Sequence, residues 1–207
     1  MQEFDFIFAI AILIMSVVAH EVSHGYAALA LGDETARRLG RLTLNPLRHI
    51  DLFGSIIVPA ISYFAGGFIF GWAKPVPYNP HNLRNSRWGE ALVALAGPLT
   101  NILIALFFGL LIRFGLMYRF LPETFISIAV LLVSINLLLA IFNLVPIPPL
   151  DGSKILFSLL PYQLYQLRAR IEESSLILLL IFVFFLWQFI SPIVIFLLGF
   201  ITGLPVS

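Results

Sequence analysis

Long apolar runs alternate with short polar stretches along the whole chain. Residues 4–19 are almost entirely apolar and run on, past one polar break, into 27–31; runs at 91–112, 125–145 and 176–189 follow. Runs of this length and uniformity predict membrane helices rather than core elements of a soluble fold. The first helix is predicted to stop at Gly32, a C-cap glycine behind Ala27, Ala28, Leu29 and Ala30. The run 52–70 is of another kind, because Gly54, Pro59, Gly66 and Gly67 interrupt it. In the polar stretch 72–90, Pro75, Pro77, Asn79, Pro80 and Asn82 disfavour a helix. The last apolar stretch, 174–204, is broken at Ser191-Pro192 and predicts a hairpin or a kinked helix. The expected fold is an all-α polytopic membrane protein, one domain over 1–207, with five to six apolar segments and extended or short β elements at 41–44 and 72–76.

Composition agrees with that class. Sixty per cent of the 207 residues are hydrophobic and 11% are charged, too little polar surface to cover a soluble core. The net charge of +1, with no basic run, gives no reason to expect nucleic acid as a partner. There is no cysteine, so any metal must sit on His, Asp or Glu. The N-terminus opens with Glu3 and Asp5 rather than a basic region, which predicts a retained first span and not a cleaved signal peptide.

Lys and Arg concentrate in three stretches: four in 32–50, three in 72–90 and three in 151–173. Basic loops face the cytoplasm, so the N-terminus is expected outside and these three stretches inside. Residues 52–70 must then leave and return on the same side, as a re-entrant segment packed against protein. The alternative is a plain span with a weak charge signal.

The chemistry starts at His20-Glu21-Val22-Ser23-His24, a complete His-Glu-x-x-His motif. Residues four apart on a helix lie about 40° apart and one turn along. His20 and His24 can thus offer a ring nitrogen each to one metal ion. Glu21, beside the first ligand, can reach a water at that ion and move its proton. A lone histidine in an apolar helix is commonly a packed or hydrogen-bonded residue. Three ionisable groups in five positions of a span are harder to place that way, since each costs roughly 2.5–3.5 kcal/mol at the helix centre.

A catalytic zinc site takes three protein ligands and leaves the fourth position open. His49 and His81 lie in the polar loops and read as surface or interface histidines. Asp151 is the stronger candidate. Alone, Asp151-Gly152 after three prolines is a turn or a helix N-cap. The topology, however, places Asp151 at the cytoplasmic end of the span that begins near Phe125, at the same depth as His20 and His24.

These residues resemble the site-2 protease family of intramembrane zinc metalloproteases. The family pairs a His-Glu-x-x-His helix with a distant Asn-x-x-Pro-x-Pro-x-Leu-Asp-Gly-like segment, here Asn143-Leu144-Val145-Pro146-Ile147-Pro148-Pro149-Leu150-Asp151-Gly152. Ala96-Gly97-Pro98-Leu99-Thr100-Asn101 is a third family-like element. The resemblance spans 17–156, most like the compact prokaryotic branch, and puts the catalytic core at about 4–156. It implies one Zn2+ held by His20, His24 and Asp151, with Glu21 as general base and acid. Asn143 matches a family asparagine associated with substrate or the oxyanion; a backbone hydrogen bond at the helix end is the plainer role for it. Asn101 reads as an interhelical hydrogen bond in a small-residue contact around Ala96 and Gly97. No PDZ domain is expected.

The implied activity is zinc-dependent cleavage of single-span membrane proteins within the bilayer, near the cytoplasmic face of a prokaryotic cell membrane. A membrane metal transporter and a non-cleaving scaffold are the readings from other classes.

Overall fold

The structure, a computed structural model, describes residues 2–51, 54, 57, 73–85, 88–118, 120–161 and 165–205. Eight helices organise them: α1 (Gln2–Ala30), α2 (Thr35–Arg38), α3 (Gly89–Tyr118), α4 (Glu123–Leu144), α5 (Asp151–Leu159), α6 (Tyr165–Glu173), α7 (Ser175–Ile181) and α8 (Trp187–Thr202). Among the described residues there is no strand. The expected β elements are extended chain at 41–45 and 73–79 without ladder pairing.

Three helices are long and apolar enough to cross a membrane: Phe8–Ala30, Gly89–Tyr118 and Glu123–Leu144. Among the described residues, these three long helices and the shorter apolar α8 stand for the five to six apolar segments expected, of which 52–70 lies mostly outside the described residues. At 1.5 Å per residue the 22 residues of α4 reach about 33 Å, enough for a hydrocarbon core of about 30 Å. Side chains on the outer faces of these helices and of α8 are large and apolar. Phe107 is 65% exposed and Phe200 69%, surfaces that a lipid environment covers at no cost. The protein is an integral membrane protein.

Helix ends follow local chemistry. At the end of α1, Gly32 N–H donates to Leu29 O and Asp33 N–H to Ala28 O, a Schellman closure with Gly32 at φ 106° as the sequence predicts. Pro146, two residues past Leu144, stops α4, and Val145 takes the extended conformation that a residue before proline prefers.

The C-terminal stretch, expected as a hairpin or a kinked helix, is helical. Residues 175–202 are one helical run with a π-helical turn at Phe182–Leu186, and Pro192 lies inside α8 without breaking it. A proline costs a hydrogen bond in any helix. Here α8 is held from outside, because Leu198 and Ile201 pack on Ala105 and Ile112 of α3 and Val133 and Leu137 of α4.

Helix α3 is the centre of the bundle and touches α1, α4, α5 and α8. The segment 52–70 lies outside the described residues except for 54 and 57. Its flanks meet: Lys74 N–H donates to His49 O at 2.8 Å, and Arg84 N–H to Leu31 O at 2.8 Å. Asp33, fully buried, locks the same junction by accepting from Asn79 N–H (2.7 Å), Asn82 Nδ2 (2.8 Å) and Thr35 Oγ1 (2.6 Å). Burial pushes the Asp33 carboxyl up, but these donors outweigh it and hold it below the usual carboxylate range.

Candidate metal centre

Helix α1 turns His20 and His24 inward, 5% and 7% exposed, with ring centroids 4.7 Å apart and planes nearly perpendicular. Asp151 comes to them from the far side. Helix α4 ends, the proline-rich link turns the chain back, and α5 begins at Asp151 with Leu150 as its N-cap residue. Asp151 is therefore the first helical residue and not the cap. The turn is tight enough that a Cβ on Gly152 would collide with the carbonyls of Leu144 and Val145, so only glycine fits there. As a result Asp151 Oδ2 sits 3.1 Å from His20 Nε2 and 3.1 Å from His24 Nε2, across 131 positions of sequence in the first case.

The other ring nitrogens are tied to α3. His24 Nδ1 lies 2.7 Å from Val93 O, which can only accept, so Nδ1 carries the hydrogen and Nε2 the lone pair. His20 Nδ1 lies 2.6 Å from Asn101 Oδ1. Asn101 thus does more than the interhelical contact expected of it: it bonds α4 through Asn136 and orients His20 as well. Gly97 makes room for this. A Cβ there would lie 2.6 Å from His20 Cε1, His20 Nε2 and His24 Cε1, so α3 rests directly on both rings.

Two imidazole lone pairs and a carboxylate oxygen converging at 3.1 Å repel one another unless a positive charge lies among them. A divalent cation turns all three into ligands. Donor atoms 2.0–2.1 Å from a tetrahedral ion are about 3.3 Å apart, close to the separations here. The residues present fit a metal. The donor atoms of His20, Glu21 and His24 also fall within 4.8 Å of one another. Of the two acidic groups, Asp151 is the better third ligand, because Glu21 is half-buried and its Oε2 accepts from Val76 N–H at 2.9 Å.

That bond joins Glu21 to the extended segment 73–79. The contact is close because residue 25 is glycine; a Cβ there would lie 2.5 Å from Leu42 Cδ2 and 2.8 Å from Val76 Cγ1. Arg41 donates to Lys74 O (3.0 Å) and Pro75 O (3.3 Å), holding the two extended segments together beside the centre.

Lys154 lies 3.6 Å from Asp151 Oδ1 and 5.6 Å from the Tyr78 ring centroid. Burial opposes its charge, but Tyr78, Asp151 and Glu21 outweigh that and raise it above the usual lysine range. Asn143 sits in the last turn of α4 and donates from Nδ2 to Leu139 O at 2.9 Å. His49 is buried with Nε2 2.9 Å from Thr43 O, and His81 is exposed in the loop before α3. Asp151, rather than either of these histidines, meets the α1 pair.

The profile of peptidase family M50 matches residues 8–121 and 117–187. The chain belongs to peptidase family M50. This is the site-2 protease family that the motifs resemble, and the assignment makes the protein a metalloprotease by family. YwhC of Bacillus subtilis, provisionally named a zinc metalloprotease, is 36% identical over 87% of this chain and 79% of its own length. Rip2 of Mycolicibacterium smegmatis, provisionally named likewise, is 32% identical over 71% of this chain and 55% of its own length. The M50 chain thus spans just over half of that relative. A third, MJ0611 of Methanocaldococcus jannaschii, is 48% identical over 31% of this chain and 31% of its own length. No solved structure matches the M50 chain.

Proposed function

We propose that this M50 protein is a zinc-dependent endopeptidase that cuts transmembrane segments of single-span membrane proteins near the cytoplasmic face of a prokaryotic cell membrane. His20, His24 and Asp151 hold the zinc. The observation that carries this reading is the approach of Asp151 Oδ2 to both Nε2 atoms at 3.1 Å, with each Nδ1 tied to α3. When bound, the ion would supply the Lewis acidity for attack by water at neutral pH.

The protein's residues do the remainder. Glu21, held through Oε2 by Val76 N–H, keeps its other oxygen for the attacking water. It takes the proton and passes it to the leaving amine. A substrate helix has its carbonyls bonded internally, so it must unwind before one can be reached. The extended backbone at 73–79 lies beside Glu21, and an unwound segment would extend alongside it. Asn143 has a second amide hydrogen beyond its bond to Leu139 O, and this hydrogen is the group that would serve substrate or the oxyanion.

The ends of segment 52–70 meet at His49 O and Lys74 N, which supports its leaving and returning on one membrane face. The deciding experiment replaces Asp151 by Asn, which turns and caps as well as Asp but carries no negative charge. Zinc content and cleavage of a single-span substrate should both fall, by roughly 10-fold or more for affinity. Full zinc and full cleavage in Asp151→Asn would show that Asp151 is structural.

A further inference from the structure

Two buried asparagines stand between the metal centre and the far side of the bundle. Asn101 on α3 and Asn136 on α4 are both 0% exposed. Their hydrogen bonds can be given a direction. Asn136 Nδ2 lies 2.9 Å from Leu132 O, and a carbonyl oxygen only accepts, so the nitrogen end of this amide must face its own helix. Asn136 Nδ2 also reaches Ser16 Oγ at 2.9 Å. Its oxygen end is thereby turned to Asn101 and takes a hydrogen from Asn101 Nδ2 at 2.8 Å. Asn101 Oδ1 is left facing His20 Nδ1 at 2.6 Å, and Nδ1 must be the donor. The hydrogen bonds run one way, and they finish with the lone pair of Nε2 aimed at Asp151.

We infer that Asn136, which touches no atom of the metal centre, is a positioning residue that sets the tautomer of His20 through Asn101. This rests on the zinc site proposed above. The physical reason is the symmetry of an amide. Without an acceptor at 136, the Asn101 side chain can rotate by half a turn and present Nδ2 to the ring. His20 then accepts at Nδ1 and carries its hydrogen on Nε2, where it blocks the ligand position. Only Ser16 O, at 3.4 Å from Asn101 Nδ2, still opposes the rotation. His24 has no such dependence, because Val93 O cannot reverse its role.

The test uses the full chain in bicelles with 15N-labelled histidine. Imidazole nitrogen shifts of the zinc-free protein carrying Asp151→Ala, which removes the carboxylate 3.1 Å from His20 Nε2 that would otherwise hold a hydrogen there, report each tautomer, and competition of the Asp151 protein with a chelator reports zinc affinity. With Asn136 in place, His20 should show its hydrogen on Nδ1. Asn136→Leu should move part or all of His20 to the other tautomer and weaken zinc roughly 10-fold, the low end for an outer partner of a ligand. Asn136→Asp should restore both, since its oxygen still faces Asn101 and a buried carboxyl keeps a proton to give to Leu132 O.

His24 should stay unchanged throughout and serves as the check that the bundle is intact. Asn136→Ala, smaller and also lacking the acceptor, stands in where the leucine variant does not fold. A role confined to packing of α3 on α4 would lower the melting temperature and leave the His20 tautomer alone. That result, or Asn136→Asp behaving like Asn136→Leu, overturns the inference. If the tautomer follows residue 136 while the wild type binds no zinc, the relay stands and the zinc reading falls.

Discussion

Replacing Gly97 by alanine adds one methyl group at the point where α3 lies against both metal-centre histidines. That methyl would stand 2.6 Å from carbon and nitrogen atoms of His20 and from Cε1 of His24. Carbon contacts normally settle near 3.5–4.0 Å, so about 1 Å must be found. The rings cannot yield freely, because their Nδ1 atoms are bonded to Asn101 and Val93 at 2.6 and 2.7 Å. Both partners ride on the same helix as Gly97. Sliding α3 outward therefore stretches those bonds, and Thr100 Oγ1–Ser23 Oγ at 2.7 Å resists as well. Overpacking of this kind costs about 1–3 kcal/mol. If it falls on the ligand geometry, it becomes a loss of roughly 5- to 150-fold in zinc affinity, since about 1.4 kcal/mol is a factor of ten. Chelator competition measures that loss and a fluorogenic transmembrane substrate measures cleavage. Leu103→Ala, 57% exposed on the same helix, is the control and should change neither. Gly97→Ala with wild-type zinc affinity and cleavage would mean that α3 does not rest on the rings, and the placement of the centre would have to be abandoned.

Glu21→Gln should keep zinc and lose cleavage by several orders of magnitude, because an amide cannot accept the proton; retention of the wild-type rate removes Glu21 from the role of base. Asp33→Asn should destabilise the protein by about 1–3 kcal/mol at neutral pH by leaving buried donors unpaired. Because the Asp33 pKa is depressed on folding, its contribution is fully present above the unfolded value of about 3.9 and disappears as pH falls through the lower folded value. Thermal melts of wild type and variant should therefore converge below about pH 3.9, and a difference independent of pH would refute the assignment. Single cysteines at Arg38 and Arg84 in this cysteine-free chain should label from one membrane face only, and labelling from opposite faces would make 52–70 a full span.

The meeting of His20, His24 and Asp151 could be anticipated from the chain because such groups are costly in lipid. Three ionisable residues in one span and an aspartate at the end of another leave few arrangements other than a shared ion. The long helices and the glycine stop at Gly32 were legible for the same reason: length, apolar uniformity and a positive φ each have a local signature.

The alternatives that the chain left open fall where the answer is set by neighbours. Pro192 marks a break in an isolated helix, but α8 is supported by α3 and α4 and runs through it; the irregular turn comes earlier, at Phe182–Leu186. Segments 41–45 and 73–79 have extended-favouring residues, yet strand pairing depends on register between segments, which side-chain bonds from Arg41 to Lys74 O and Pro75 O replace.

Asn101 and Asn136 are the more instructive case. An asparagine in an apolar helix announces a hydrogen bond without naming the partner. Asn101 looked like a contact between helices, and Asn136 gave no signal of its own. Only the three-dimensional order Leu132 O, Asn136, Asn101, His20 gives them direction. Helix α1 supplies the two histidines, but α3 orients them: Val93 and Asn101 bond their Nδ1 atoms and Gly97 gives the rings their space. A motif on α1 can specify which atoms meet the metal. The bonds that orient the two rings come from a helix more than 60 residues further along, 69 positions away for His24–Val93 and 81 for His20–Asn101.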